Sequence, residues 1–473
     1  RKVFNVDKDL TVKGGTATDV MKNIPSVTID GDGNAQLRQN SATIYVDGRP
    51  TTLTLDQIPA DQIERVEVIT NPSAKFEAST TGGIINLVMK ANTKPGYNGV
   101  VAGGIGTNDH YNGMLALNFK QRPIGISVNY NYNSFNNPIT GYSNRTQLAN
   151  GHPLSYYKTA TASSFKNTMQ GGMASIDYSI NNRNTITLGQ NMFFGDFDNY
   201  NNQDFRSEIG DHTLTSYGTR STPALNHFEH YTTRVNYKKT FPKKGKELIA
   251  DAAYSSNNGY GKSDYETRSY DQSGILYPDN PELLRTRTNN TGEMFMFSAD
   301  YTNPINDSTK LELGVRSNYR PTVQSMEVSH YSYTTGTYLA DPYLTNHYKI
   351  QNFVNAAYIN YSARFKGLSY AAGLRFEDSY YKGTLTDKND SSFLYHYPSE
   401  LDNLMNALFP SLFISKKFND KQEWQVNVSR KINRPNFRQL MPFIMAIDTK
   451  NFMIGNPQLT PEFITLAELN FNQ

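Results

Sequence analysis

The sequence lacks any uninterrupted apolar run of the roughly 18 residues that a transmembrane helix requires, which excludes a helical membrane protein. It also lacks cysteine, which agrees with an oxidising compartment and leaves no thiolate to complete a zinc site. Basic residues number 46 and acidic residues 43, spread without blocks of either sign. This balance excludes recognition of nucleic acid through a basic surface.

Aromatic residues are abundant but uneven in type, with 32 Tyr and 25 Phe beside a single Trp. Girdles of aromatic side chains flank the apolar band of transmembrane β-barrels. The low mean hydropathy does not exclude such a barrel, because only alternate residues of its roughly ten-residue segments face lipid. Composition alone leaves a membrane barrel and an aromatic-rich soluble β protein equally open.

From Tyr97 onward, segment after segment alternates apolar and polar residues with a period of two, which predicts strands with one apolar face. One segment shows the pattern most clearly, with its apolar positions at Ile124, Ile126, Val128, Tyr130 and Tyr132. About fourteen such segments follow one another, as in membrane strands.

The connections between these segments alternate in length. Turn-forming residues follow the strands that we predict to end near Lys120, Ile180, Thr240, Tyr301, Lys366 and Phe418. Loops of roughly thirty residues are predicted between the resulting hairpins, at about 134–172, 196–229, 256–292, 320–351, 380–405 and 433–462. Outer-membrane barrels have short periplasmic turns and long extracellular loops, whereas a soluble sandwich has no reason to keep its long loops on one side. The alternation therefore favours a membrane barrel.

The first 93 residues have a different pattern, which predicts a small α+β domain. A short helix is expected over Ala17 to Asn23, and strands over Val27 to Ile29 and Thr43 to Val46. The run Ile63 to Ile69 and the glycine-led strand from Gly82 close the domain.

Several of these stretches resemble a known family. The run Ile63 to Ile69, the Asn71-Pro72-Ser73 turn and the strand Gly82 to Asn86 resemble the plug domain of TonB-dependent receptors, most closely those of Bacteroidetes. Near the other end, Asn433 to Phe437 and Gly455 to Glu462 resemble barrel-loop motifs of the same family. The resemblance implies a plug over residues 1–93 and a transmembrane antiparallel β-barrel over residues 94–473.

The implied fold is an all-β membrane protein of the outer membrane, with the α+β plug inside the barrel lumen. The family's barrel has 22 strands, so the fourteen or so visible here suggest strands missing at the C-terminal end, although a smaller closed barrel is an alternative. The resemblance also implies import of a ligand bound between loops and plug, driven by a TonB-type energy-coupling complex. Possible further partners are a surface lipoprotein, other outer-membrane proteins and lipopolysaccharide. The alternative function is a structural subunit of an assembly, secretion or motility complex without an imported ligand.

Two sets of plug residues follow from the resemblance as candidate sites. Those expected to contact the barrel wall are Arg65, Glu67, Gly82, Gly83 and Asn86. Those expected to face the ligand from the plug apices are Asp32, Asn34, Ser73, Lys75 and Phe76. No catalytic site is predicted, because the S-x-x-K run Ser163 to Lys166 lacks its companion motifs. No cofactor is predicted, because Gly104-Ile105-Gly106 lacks the third glycine of a dinucleotide fingerprint. No metal site is predicted, because the run Asp30, Asp32 and Asn34 lacks the glycine and glutamate of a calcium loop.

Overall fold

The computed structural model describes residues 2–6, 15–30, 34–37, 40–46, 49–50, 55, 58, 60, 63–70, 72–80, 82–90, 95–387, 390–397, 401–419, 422–440, 445–448 and 451–472. Its strands are β1 (Lys2–Asn5), β2 (Val27–Ile29), β3 (Ala35–Leu37), β4 (Asn40–Ser41), β5 (Thr43–Val46), β6 (Arg49–Pro50), β7 (Ile63–Ile69), β8 (Ile84–Met89), β9 (Gly96–Gly106), β10 (His110–Gln121), β11 (Ile124–Ala149), β12 (His152–Asn181), β13 (Asn184–Ile209), β14 (Thr213–Thr240), β15 (Glu247–Asp271), β16 (Glu282–Asn306), β17 (Thr309–Ser332), β18 (Thr337–Ala340), β19 (Asn346–Phe365), β20 (Leu368–Leu385), β21 (Asp390–Tyr397), β22 (Leu408–Asn419), β23 (Gln422–Asn433), β24 (Met445–Asp448), β25 (Asn451–Met453) and β26 (Glu462–Asn472). The helices are α1 (Ala17–Lys22), α2 (Phe437–Leu440) and a 3-10 helix (Leu401–Ala407). Within the described ranges, no helix combines the length and the apolar character needed to cross a membrane.

A single antiparallel sheet contains most of the chain. Its strands lie in the order β26-β23-β22-β20-β19-β17-β16-β15-β14-β13-β12-β11-β10-β9, with β18 paired to β17 and β21 to β20. Chain neighbours are sheet neighbours throughout this path, as in an up-and-down barrel. The path contains fourteen strands, which confirms the prediction of about fourteen alternating segments.

The predicted apolar face of β11 is confirmed as an exposed one. Its exposed apolar residues are Ile124, Ile126, Val128, Tyr130 and Tyr132. At a rise of about 3.3 Å per residue and the tilt of membrane strands, this stretch spans roughly 20 to 25 Å, the height of the lipid-facing band. The band begins at the short turn before β11, so the short turns lie at one edge of the membrane.

An aromatic ladder crosses four neighbouring strands on the outer surface. The ring centroids of Tyr254 and Phe295 lie 5.0 Å apart, those of Phe295 and Tyr319 6.3 Å, and those of Tyr319 and Phe353 6.0 Å. Tyr254 and Phe295 are exposed. Aromatic rings in such a row are typical of the girdle where a barrel leaves the membrane.

The predicted long loops are mostly wrong, because the strands continue through them. Strand β11 runs on to Ala149 and β12 begins at His152, and the two pair across nearly their whole length. The same holds for β13 with β14. Beyond the membrane, both faces of a strand are polar and exposed, so the period of two disappears while cross-strand hydrogen bonds still satisfy the backbone. In the described part of 433–462, the chain instead forms α2 and the separate β24–β25 pair.

The N-terminal domain is a small α+β unit, as predicted. Its five-stranded sheet has the order β1-β7-β8-β5-β6, in which β5 and β8 are parallel. Helix α1 begins after Thr16, whose backbone N–H donates to the Asp19 carboxylate at 3.0 Å. The buried apolar core joins helix and sheet and consists of Val6, Ala17, Val20, Met21, Ile24, Val27, Ala35, Leu37, Leu55, Ile58, Ala60, Ile63, Val66, Val68, Ile85 and Leu87.

The acidic residue Glu208, at the outer tip of the β13–β14 hairpin, leads to a prediction about how the stability of this tip depends on pH. Glu208 lies 2.9 Å from Lys158 Nζ, 2.7 Å from Arg206 Nε and 3.0 Å from His212 Nδ1. Hydrogen bonds, first from Lys158, then from His212 and Arg206, lower the pKa of Glu208 from 4.5 to about 2. Because the folded pKa is the lower one, these contacts stabilise the tip above the ordinary pKa and are lost as the pH falls towards 2.

We therefore expect backbone hydrogen exchange at 205–216, corrected for the intrinsic rate, to accelerate between about pH 5.5 and about pH 3. The variant Glu208→Gln should exchange faster at pH 5.5 and show little further change on acidification. Glu266→Gln is the control, because Glu266 pairs with Arg268 at 2.6 Å on a different hairpin. Equal acid sensitivity in wild type and Glu208→Gln would contradict the assignment.

Candidate functional site: the contact between plug and barrel

One plug segment makes direct contacts with the inner wall of the barrel. We call residues 72–80, between β7 and β8, the docking segment. The carbonyl oxygen of Pro72 accepts a hydrogen bond from Lys431 Nζ at 3.2 Å. The Ala78 N–H donates to Glu377 Oε1 at 3.2 Å, and its carbonyl oxygen accepts from the Ile432 N–H at 3.1 Å. The docking segment is therefore held through its backbone by strands β20 and β23.

Glu377 belongs to a buried group of charges. Its carboxylate lies 2.6 Å from Arg375 Nε and 2.6 Å from Arg434 Nη2. The side chains of Glu377 and Arg375 are 1% and 2% exposed. Arg434 Nη2 also donates to Ser379 Oγ at 2.7 Å. A charge that is removed from water needs well-placed partners of opposite charge. The two arginines therefore hold the Glu377 carboxylate at the position where it accepts the hydrogen bond of the Ala78 N–H.

A second charged contact joins the plug to β17. Arg316 Nη1 lies 3.8 Å from Glu77 Oε1, and the Arg316 side chain is buried. Tyr45 of the plug lies close to both groups, and its ring packs edge-on against Phe76 with centroids 5.3 Å apart. Burial, and then the Glu77 carboxylate, raise the pKa of the Tyr45 hydroxyl, which therefore stays protonated.

Small apolar contacts complete the interface. Ala78 packs in a cluster with Phe409, Ile432 and the partly buried Phe463 of the barrel. At Gly373 of β20, an added Cβ would lie 2.8 Å from the Ala74 Cβ of the docking segment. The plug thus lies close to the wall at a position where the wall has no side chain.

The residues predicted to contact the wall have the following contacts within the plug. Arg65 pairs with Glu64 at 2.5 Å and with Glu67 at 3.2 Å, and Asn86 Nδ2 donates to Glu67 Oε2 at 2.9 Å. The two contacts of Arg65 lie within β7, and the contact between Asn86 and Glu67 joins β8 to β7. Their role at the barrel wall stays a prediction.

The predicted glycine pair is in a crowded part of the plug. A Cβ at Gly82 would lie 2.1 Å from the Ser41 carbonyl oxygen of β4. Gly83 has a φ of +90°, a conformation that other residues rarely adopt, and its Cβ would lie 2.9 Å from the Ile69 carbonyl oxygen. Both glycines therefore allow close approach of backbones, and their contact with the barrel stays a prediction.

The residues predicted to face a ligand belong to two separate segments of the plug. Asp32 lies outside the described residues, and Asn34 is exposed, with its backbone N–H donating to Asp30 Oδ1 at 2.8 Å. Ser73, Lys75 and Phe76 are half-buried members of the docking segment. Their neighbours contact the wall, while their own ligand-facing role stays a prediction.

The sequence pattern alone did not identify the barrel residues of this site, although the sequence contains a pattern that indicates them. Arg375 and Glu377 occupy alternate polar positions of β20, on the face opposite its lipid-facing Leu374. Arg434 belongs to the Asn433 to Phe437 motif, which we used only as a family resemblance. Charges on the inner face of a membrane strand need partners in the lumen, and this rule would have singled them out. Among the described residues, no group of three or more His, Asp or Glu side chains is placed to hold a metal ion.

Comparison with known proteins agrees with this architecture. A family model described as the TonB-dependent receptor plug domain matches residues 5–84, and one described as an outer membrane protein beta-barrel family matches residues 239–473. The rhizobactin receptor of Rhizobium meliloti (strain 1021) is 25% identical over 283 residues, which cover 55% of this chain and 35% of that protein. The chain thus spans about a third of the length of this curated relative.

The solved structure of the copper transporter OprC shares the fold. The copper transporter OprC is similar with a TM-score of 0.58 and 12% identity, over 99% of this chain and 68% of that one. The ferric yersiniabactin uptake receptor FyuA from Yersinia pestis aligns with a TM-score of 0.39 and 12% identity, over 90% of this chain and 78% of that one.

Proposed function

Because this chain belongs to the TonB-dependent receptors, whose outer-membrane β-barrel contains a plug, we propose that it imports a ligand by energy-coupled movement of its plug. The proposal assigns residues 1–93 to the plug and residues 94–473 to the barrel. The driving partner in this proposal is a TonB-type complex. The ligand is carried unchanged, so no catalytic residue is part of the proposal. A surface lipoprotein, other outer-membrane proteins and lipopolysaccharide stay predicted partners.

The observation that carries the proposal is the way the docking segment is held. Its contacts with the wall are a few hydrogen bonds, the Arg316–Glu77 pair and a small apolar cluster around Ala78. Buried polar contacts of this kind fix position more than they add stability. The plug is consequently well located in the resting barrel and can be released when these contacts are broken together.

A reversible lock tests whether this segment has to move. Ala78 and Ile432 share a backbone hydrogen bond of 3.1 Å and one apolar cluster, and the chain has no cysteine that could form other disulfides. We expect Ala78→Cys combined with Ile432→Cys to form a disulfide under oxidising conditions and to abolish import. Reduction should restore import.

Import is measured as the loss of each solute from a defined mixture of neutral oligosaccharides and ferric citrate, quantified by mass spectrometry. The controls are the two single variants and a Val128→Cys, Ala174→Cys pair, which joins cross-strand partners of the barrel wall alone. The control disulfide should leave import unchanged. Equal solute loss with the plug locked and unlocked would contradict plug-driven import and favour a structural role.

A further inference from the structure

The outer part of β11 lies at an open edge of the sheet. Strand β11 pairs with β12 over nearly its whole length, whereas its pairing with β10 ends at Ser134 and Tyr111. One further hydrogen bond, from the Asn136 N–H to the Asn108 carbonyl oxygen at 2.9 Å, marks the tip of the short β9–β10 hairpin. Above this tip, the described chain has no strand beside β11, although β12 and β13 are paired on both sides there.

The backbone of this edge presents a regular row of hydrogen-bonding groups. In an antiparallel sheet, successive residues direct their N–H and C=O groups to opposite edges of the strand. The Asn136 N–H points away from β12, and the register with β12 continues unbroken to Gln147. Even-numbered residues therefore face the open side. The donors among them are the N–H groups of Thr140, Tyr142, Asn144 and Thr146.

Two features limit the length of this row. Pro138 has no N–H at its lower end, and a register shift between Gln147 and Leu148 interrupts the strand at its upper end. Residues 139–146 between them contain neither proline nor lysine, which often block sheet edges, and all of them are exposed. We call residues 139–146 the open edge. Its length of about 25 Å, at about 3.3 Å per residue, lies within the usual range of a strand.

The open edge also offers large side chains on both of its faces. Ile139 is 53% exposed and Tyr142 is 85% exposed. One position is odd and the other even, so the two side chains lie on opposite faces of β11. A strand placed beside β11 would pack against both of them as cross-strand pairs.

The hairpin that contains the open edge has bases but no acid. From Ile124 to Ile176 the sequence has no Asp or Glu, and its bases are Arg145, Lys158 and Lys166. Glu208 of β13 pairs with Lys158 at 2.9 Å. Arg145 belongs to the open edge, whereas the acid of the β9–β10 tip, Asp109, lies below it. A partner with acidic side chains beside Arg145 therefore complements this surface.

A row of N–H and C=O groups at strand spacing is matched by a second extended backbone, whose main-chain hydrogen bonds give affinity while side-chain pairs give specificity. We propose that the open edge binds an extended polypeptide segment with acidic side chains, which adds a strand beside β11 outside the membrane. This partner is separate from the imported ligand, so the proposal does not depend on import.

Hydrogen exchange at single amides of the full receptor tests whether the edge is open. The N–H groups of Tyr142 and Asn144 should exchange at least about tenfold faster than those of Gly141 and Ser143, which face β12. Equal protection of both sets would overturn the proposal, because another part of the receptor would cover the edge. Protection of Tyr142 and Asn144 that rises with receptor concentration would also overturn it, with a second copy of the chain as the occupant.

Peptides test the partner directly. A random decapeptide library displayed on phage is selected on the full receptor in detergent, and the selected peptides are synthesised for measurement of affinity by fluorescence anisotropy. We expect them to be rich in β-branched and acidic residues and to protect the Tyr142 and Asn144 amides. N-methylation of alternate peptide residues in one register should abolish binding. In the other register it should change the affinity less than about twofold, because only one edge of the added strand faces β11.

Receptor variants locate the binding edge. Asn144→Pro removes one N–H of the row and should weaken peptide binding about tenfold. Asn144→Ala keeps this N–H and is the matched control. Arg145→Glu should weaken binding of acidic peptides to a similar extent, whereas Lys262→Glu, which changes a base on β15, should not.

The N-methylated peptides leave the receptor unaltered, so their result stands even if Asn144→Pro distorts β11. Equal loss of binding in the two methylation registers would overturn strand addition. Equal affinity of Asn144→Pro and Asn144→Ala for every selected peptide would also overturn it. Binding that is unchanged in Arg145→Glu would contradict the acidic character of the partner.

Discussion

Replacing Glu377 by glutamine should lower the free energy of unfolding by about 3 to 5 kcal/mol, the usual effect of removing one partner from a buried ion pair. Arg375 and Arg434 both lie 2.6 Å from this carboxylate and would lose their negative partner. The side-chain volume is nearly unchanged, so the effect would come from charge. It is measured as the shift of the denaturant concentration at which the folded barrel is lost.

The neighbouring acid provides a matched control. Asp378 points to the other face of β20, where it is 34% exposed and lies 2.9 Å from His396. An exposed pair contributes at most about 1 kcal/mol, so Asp378→Asn should have a small effect. Comparable losses in the two variants would show that Glu377 is not at the centre of a buried charge group.

Glu377→Gln should also loosen the plug, because the same carboxylate accepts the hydrogen bond of the Ala78 N–H. Hydrogen exchange of the docking segment would report this directly. The variant therefore tests two properties, the stability of the folded barrel and the strength of the contact between the barrel and the docking segment.

The lipid-facing part of the barrel could be predicted from the sequence because the membrane imposes a simple rule. Where one face of a strand meets lipid and the other the lumen, every second residue is apolar, as at Ile124, Ile126 and Val128. Above the membrane this rule no longer acts. The outer part of β11 is exposed on both faces, so its sequence has no period and resembles a loop.

The contact between plug and wall could not be located in this way. The Ala78–Glu377 hydrogen bond joins residues 299 positions apart in the chain. Local periodicity indicates which face a residue occupies, whereas the partner on a distant strand depends on barrel closure and on how the plug sits. Family resemblance directed attention to Arg65 and Glu67, whose role at the wall stays a prediction, whereas the structure shows wall contacts at the docking segment.

The second large effect is expected at Gly373, where a side chain would meet the plug directly. A Cβ at this position would lie 2.8 Å from the Ala74 Cβ, 2.7 Å from Ser411 Oγ and 3.0 Å from Asn360 Oδ1. Valine adds two further methyl groups, and such overpacking costs about 1 to 3 kcal/mol. We expect Gly373→Val to displace the docking segment while the barrel strands, held by their full ladder of hydrogen bonds, remain paired.

The readout is hydrogen exchange at the Ala78 amide, which should accelerate roughly 5-fold to 150-fold if the overpacking energy is transferred to local opening. Gly189→Val is the matched control, because Gly189 is also an inward glycine of a membrane strand and its Cβ would meet nothing within 4 Å. Adding Ala74→Gly to Gly373→Val should recover part of the protection, since it removes one of the two colliding groups. Recovery would show that the plug moves because of this contact, whereas acceleration without any recovery would attribute the effect to distortion of the barrel wall.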